Sequence, residues 1–347
     1  MNAPRPPMRR PREREILLAH GSGGRAMHQL VEGLIVPQLD NPLLARLGDQ
    51  AIFELGGARV AFTTDSYVVS PLFFPGGDIG ALAVHGTIND LAMGGARPVA
   101  LSLALILEEG FPMADLERVL ASVRAAADVT GVHIVTGDTK VVGRHGADKL
   151  FINTSGVGLV ADGAHIDERR VQPGDAILLS GTIGDHGMAI MSQREGFTFQ
   201  APIASDTASL WPLVEVMLAA APGAVHAMRD PTRGGLATTL NEIAARAGLG
   251  MRLQERAVPV REAVRGACEI LGIDPLYVAN EGKLVAFVEA GAAQAVLAAV
   301  RGHPLGREAA IVGQAVEDPR HYVIAETDFG GTRIVDMLAG DPLPRIC

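Results

Sequence analysis

A change of pattern at residues 161–174 (ADGAHIDERRVQPG) constrains this chain more than any other feature. The segment is polar and rich in turn formers, and it parts two stretches that each mix strand-like and helix-like runs. Before it, residues 59–64, 98–107, 132–136 and 150–160 read as strands. Residues 79–93 and 112–129 read as helices, ending at Gly94-Gly95 and at Gly131. After it, strands are expected at 175–180, 283–289, 309–316 and 322–325, and helices at 182–194, 208–220, 235–247, 261–271 and 292–301. Neither half shows a regular βαβ series, so an α/β and α+β two-domain chain is expected, divided into 16–165 and 166–338.

The two ends read differently. Residues 1–15 are rich in Arg and Pro and lack an apolar signal core, so they read as a disordered arm, with a basic docking arm as the alternative. Residues 339–347 read as a flexible tail ending in Cys347. Pro342 and Pro344 favour an extended segment that reaches on the order of 20 Å. The thiol is either part of a frayed end or a group delivered to a distant site.

Bulk composition excludes several classes. A net charge of −9, from 30 basic and 39 acidic residues, argues against nucleic acid as the main ligand. No apolar run has the length of a membrane span. Cys268 and Cys347 are the only cysteines, too few for a disulfide framework or a cysteine metal site, and Cys268 lies in an apolar helical stretch. A free thiol is best kept in a reducing compartment, so a cytoplasmic location is expected.

Five motifs carry candidate chemistry. Gly21, Ser22, Gly23 and Gly24 precede a helical stretch, where backbone N–H groups can approach an anion; a flexible turn is the alternative. Asp49, Asp65, Asp90 and Asp138 form an acidic set, with Asp65 and Asp138 each following an apolar run. Together such carboxylates suit Mg²⁺ and a nucleotide, although singly each reads as a turn or cap residue. In Gly137-Asp138-Thr139-Lys140, Asp138 and Lys140 share one face, and Lys140 is a candidate phosphate ligand or base, or half of a surface ion pair. Arg229-Asp230-Pro231-Thr232-Arg233-Gly234-Gly235-Leu236 offers a helix start with Arg beside it, an anion-binding corner, with a capped helix and tight entry turn as the alternative. Asn280-Glu281-Gly282-Lys283 precedes a strand, and Glu281 is a candidate base or a plain turn acid.

These motifs also occur in one order: HGSGGR, TTDS, GTINDLAMGGARP, GDTKVV, DPTRGGL, NEGK and a final PRIC. In that order the chain resembles the hydrogenase-maturation carbamoyl dehydratases (HypE), within the superfamily of aminoimidazole ribonucleotide synthetase, selenophosphate synthetase and thiamin-phosphate kinase. The resemblance runs from about residue 16 to 347, and PRIC is its specific part. It implies an N-terminal α/β domain that dimerises through its sheet, a C-terminal α+β domain and a mobile tail.

It further implies ATP and Mg²⁺ as cofactors, and an S-carboxamide on Cys347 that is phosphorylated and dehydrated to S-cyanide. The implied partners are a HypF-type carbamoyltransferase and a HypC–HypD-type iron scaffold that receives the cyanide for a nickel–iron centre. The metal or phosphate contacts it implies are Asp65, Asp90, Asp138 and Asp49, whose usual acidic pair is here Asp49-Gln50. Nucleotide contacts are expected from Gly21 to Gly24, Asp65, Asn89, Asp138, Thr139, Asp230 and Arg233. Lys140 and Glu281 are the expected bases, and Arg345 offsets the terminal carboxylate beside the thiol. Two rivals stand: an enzyme of the same superfamily acting on a free small molecule, and a non-catalytic adaptor whose tail is a peptide ligand.

Overall fold

The computed structural model describes residues 13–39, 41–196, 202–327, 329–338, 343 and 345–347. The expected arm lies outside the described residues except for the exposed Glu13, Arg14 and Glu15, and so do five positions of the tail.

The chain enters through α1 (Arg25–Leu30), a π-type turn at Val31–Ile35 and α2 (Val36–Leu39). A five-stranded sheet follows. Its strands are β1 (Ala51–Leu55), β2 (Ala58–Tyr67), β5 (Ala96–Glu108), β6 (His133–Val142) and β7 (Leu150–Val160), in the spatial order β1-β2-β7-β5-β6. A small hairpin, β3 (Phe73–Phe74) and β4 (Gly77–Asp78), leads into α3 (Ile79–Met93). Asp78 caps that helix, its Oδ1 accepting from Gly80 N at 2.8 Å and Ala81 N at 3.0 Å. Helix α3 lies on β2, β5 and β7 and carries α4 (Met113–Thr130) on its outer side.

Among the described residues, only one face of this sheet is covered. Alternation along β2 turns Ala61, Thr63 and Tyr67 toward α3, while Phe62 faces outward. Phe62, Val99, Ile106, Val157 and Leu159 are exposed. The edge strand β6 is exposed over nearly its whole length and shows Val135 (64%) and Val141 (67%), values high enough to mark a surface that invites cover.

The second half forms a seven-stranded sheet in the order β14-β13-β10-β12-β8-β11-β9. Its strands are β8 (Ala176–Leu179), β9 (Val225–Arg229), β10 (Gly250–Gln254), β11 (Val285–Val288), β12 (Ala310–Val316), β13 (Val323–Glu326) and β14 (Thr332–Ile334). The helices are α5 (Asp185–Glu195), α6 (Trp211–Ala220), α7 (Gly235–Ala247), α8 (Glu262–Leu271) and α9 (Ala293–Gly302). The period of two in β8 sorts the layers: Ile177 and Leu179 pack with α7, and Ala176 and Leu178 with α6 and α9. Ala92 and Met93 of α3 join the latter cluster, so the two domains share core there. Among the described residues, no helix is long and apolar enough to cross a membrane.

Candidate active site

Three aspartates meet where the domains touch. Asp49 comes from the turn before β1, Asp90 from the last turn of α3, and Asp230 from the residue after β9. Their carboxylate oxygens lie within 4.8 Å of one another. Thr63 on β2 braces two of them, its hydroxyl lying 2.7 Å from Asp49 O and 2.8 Å from Asp90 Oδ2. Burial pushes Asp49 up to about 8, Asp230 up to about 6, and Asp90 well above the carboxylate range; each is raised further by neighbouring carboxylates. Three oxygens this close, each unfavourable as a free anion, form a donor set that a hard divalent cation fits.

Arg229, the last residue of β9, opposes that repulsion. Its Nε lies 2.9 Å from Asp49 Oδ1, off the N–H axis, so the contact is an ion pair rather than a hydrogen bond. Its two other nitrogens bond Glu168 and Glu242, each at 2.9 Å. Glu242 in turn holds His28 Nε2 at 2.8 Å.

A cavity of about 280 Å³ opens beside the aspartates. Met27, Val31 and Leu47 are apolar parts of its lining, and Asp65, Arg233, Glu281 and Cys347 are among the polar parts. Glu281 is 3% exposed, and its Oε1 has no hydrogen-bond partner among the described residues. Burial raises its carboxyl well above the usual range, with Asp230, Asp65 and Asp206 adding to the shift and Arg233 opposing it. Its backbone is fixed from two sides: N–H donates to Asp206 Oδ1 at 3.0 Å, and the carbonyl accepts from Asn89 Nδ2 at 3.1 Å. Arg233 faces the negative charge of Cys347, the largest cause of the rise in its own pKa.

Glycines allow the close approaches. Gly23 has φ +79°, and a Cβ there would meet Arg233 Cβ at 2.8 Å, so the HGSGGR loop lies directly on the DPTRGG turn. At Gly235 (φ +61°) a Cβ would meet the carbonyl oxygens of Leu276 and Val278 at 2.6 and 2.7 Å.

Comparison with known proteins fits this site. Residues 47–160 match the N-terminal domain of the AIR synthase related proteins, and residues 172–326 match their C-terminal domain. Carbamoyl dehydratase HypE of Azotobacter vinelandii is 58% identical over 336 residues, 97% of this chain and 98% of that protein. The chain belongs to the HypE carbamoyl dehydratase family. A crystal structure of hydrogenase maturation protein HypE in complex with ATP superposes with TM-score 0.81 at 52% identity, over 96% of this chain and 100% of that one. A HypE–HypF complex gives TM-score 0.85 at 46% identity, over 89% and 99%.

The HypE motifs fall in two places. Gly23, Asp49, Asp65, Asp90, Asp230, Arg233, Glu281 and Cys347 line one cavity, while Gly21 and Ser22 line a smaller one beside the tail that also touches Arg233 and Cys347. Asp138, Thr139 and Lys140 are elsewhere. They sit within β6, exposed, with Lys140 Nζ 2.8 Å from Asp138 in a surface ion pair. Asp138 pairs in register with Ala104, Ala104 with Asn153, and Asn153 with Ser66, so three strand spacings, on the order of 14 Å, part it from the Asp65 end of β2. Within one chain Asp138, Thr139 and Lys140 therefore lie away from the cavity that Asp65 lines.

Asn89 is buried: its amide nitrogen serves Ala208 O and Glu281 O, and its Oδ1 accepts from Leu210 N at 2.8 Å, so it braces the Glu281 turn. Arg345 bonds Asp148 and Val68 O, and Arg233 is a cation that faces Cys347. Gln50, with its amide nitrogen on Asp90 O and its oxygen on Gly94 N, serves the end of α3 and not the cavity. Sequence reasoning took Arg229 only as the first residue of an anion-binding corner and placed Asp230 at the nucleotide only; the circle of carboxylates around Arg229 comes from distant parts of the chain.

Proposed function

We propose that this chain dehydrates an S-carboxamide on Cys347 to an S-cyanide at the expense of ATP. The single observation that carries the reading is that Cys347, Glu281, Arg233 and the three-aspartate cluster line one cavity. In the reaction the carboxamide oxygen attacks the γ-phosphorus of ATP and ADP leaves. The C–O bond to phosphate then breaks as the nitrogen gives up its two protons, leaving S–C≡N. The balance is carboxamide plus ATP giving thiocyanate, ADP, phosphate and a proton.

Glu281 is the base for the N–H protons: it is buried, lines the cavity together with Cys347, and its Oε1 has no hydrogen-bond partner among the described residues. Arg233 steadies negative charge at the thiol end, and the Gly21–Gly24 backbone together with Asp65 faces the phosphates. Asp49, Asp90 and Asp230 would hold Mg²⁺, which neutralises charge on the transferring phosphoryl group. The sulfur suits both ends of the sequence, since a thiolate accepts the carbamoyl carbon and later releases cyanide. A HypF-type carbamoyltransferase is the donor, and an iron-bearing HypC–HypD-type complex the acceptor.

The open sheet face with its exposed β6 edge supports a homodimer through that face. A second copy packed there is the means by which Asp138, Thr139 and Lys140 reach a nucleotide. The deciding experiment is the intact mass of the Cys347 peptide from protein co-expressed with the carbamoyltransferase, before and after ATP. A carboxamide adduct that loses one water is expected; no adduct, or one on Cys268, overturns the reading.

A further inference from the structure

The tail is seated by more than its reach requires. Cys347 O accepts from Val68 N at 3.0 Å and Arg345 O from Ser70 N at 3.3 Å, so two backbone hydrogen bonds tie the tail to residues 68–70. Ile346 turns the other way. Its side chain is 2% exposed within the core, and its carbonyl meets His186 Nε2 at 3.0 Å. Arg194, further along α5, bonds Arg345 O at 3.0 Å and Ser70 O at 2.6 Å, joining the tail to residue 70. Neither His186 nor Arg194 lines the cavity that holds the chemistry.

The hydrogen-bond directions are fixed. A carbonyl only accepts, so His186 Nε2 carries the proton and Nδ1 accepts. Ser205 Oγ lies 2.8 Å from that Nδ1 and itself receives Thr207 N–H at 3.1 Å, so its hydroxyl proton points to the ring. The residue between them, Asp206, takes Glu281 N–H on one oxygen and Lys283 Nζ on the other, each at 3.0 Å. One three-residue segment thus holds the tail through His186 and the base-bearing turn through Asp206.

We propose that His186 and Arg194 are positioning residues that seat the tail in the register where Cys347 faces Glu281, and whose release frees Cys347 for its partner proteins. The benefit to catalysis rests on the function proposed above; the seating itself does not. The same residues serve dehydration and oppose loading, because the carbamoyltransferase needs the thiol outside the cavity.

The test is the rate of iodoacetamide alkylation at each cysteine, read by peptide mass on the full-length protein without ATP. Cys268, buried with its thiol pushed up to about 12, is the internal control for loosening of the domain. Cys347 is expected to react about tenfold faster in His186→Leu and in Arg194→Met, the size of effect that losing one such hydrogen bond gives, with Cys268 as silent as in the wild type. His186→Gln, which keeps an N–H donor, should restore slow alkylation. The ratio of the ATP-driven dehydration rate, measured on protein preloaded with carboxamide, to the loading rate, measured on the unloaded thiol, should fall about tenfold in His186→Leu and Arg194→Met. An unchanged Cys347 rate in both variants overturns the proposal, as does a parallel rise at Cys268 in both. Alkylation needs neither ATP nor a carbamoyl group, so failure of the dehydratase reading would leave that arm intact.

Discussion

Glu281 is an acid whose surroundings argue against its charge. Oε1 has no partner, and three neighbouring carboxylates stand with burial in favouring the protonated form. Glu281→Gln keeps the shape and removes the titration, so unfolding stability should change by less than about 1 kcal/mol while ATP-driven water loss slows about 100-fold or more, measured by mass against time. His28 gives a pH prediction of known sign. Bonds to Glu242 and then to Glu32 raise it from 6.5 to about 9. Its stabilisation is therefore full below pH 6.5 and lost as pH rises through 9.

Glu242 shows the acid side of the same pair. Burial would raise it, but Arg229 and His28 outweigh that and hold it down to about 2, so its share is lost only as pH falls from 4.5 through 2. Urea titrations should show wild type losing roughly 2–3 kcal/mol between pH 6.5 and 9 that His28→Gln does not lose. Residue identities were legible in the sequence wherever a motif kept its members together in space. The place of Asp138 was not legible, because alternation within a strand says which face it occupies but not which edge of the sheet the strand takes.

Helices were read more easily than strands. The stretches at 79–93 and 235–247 coincide with α3 and α7, because each starts and stops at a cap or glycine. β9 (Val225–Arg229) escaped notice because His226 and Arg229 break its apolar run; both are satisfied by acids brought from afar, His226 by Asp175 at 2.7 Å. β6 was cut short at Thr136 because a Gly-Asp pair reads as a turn, yet it continues to Val142 in parallel register with β5. Helix α3 carries the element-scale prediction. Asp78 caps two of its N–H groups and also accepts from Ser122 of α4. Asp78→Ala should cost about 1–2 kcal/mol in thermal or urea unfolding, with Asp78→Asn recovering part of it.

At the scale of the whole molecule, the two domains and their mixed character followed from the pattern break at 161–174. The open sheet face did not, since alternation looks the same whether a second chain or water covers the outer side. A glutamate at both Val135 and Val141 should convert a dimer to a monomer in sedimentation experiments while leaving the thermal transition of the chain within a few degrees. Dehydration should fall with the loss of dimer. The Arg229 cluster has its own consequence at this scale. One guanidinium from the second domain gathers Asp49 from the first, Glu168 from the connection and Glu242 from α7. A chimera that exchanges one domain for that of a relative would inherit either the cation or part of its acidic circle, and would hold surplus buried charge at the join. Grafts between such proteins should therefore carry Asp49, Glu168, Arg229 and Glu242 as a single cassette, whatever crossover point is chosen.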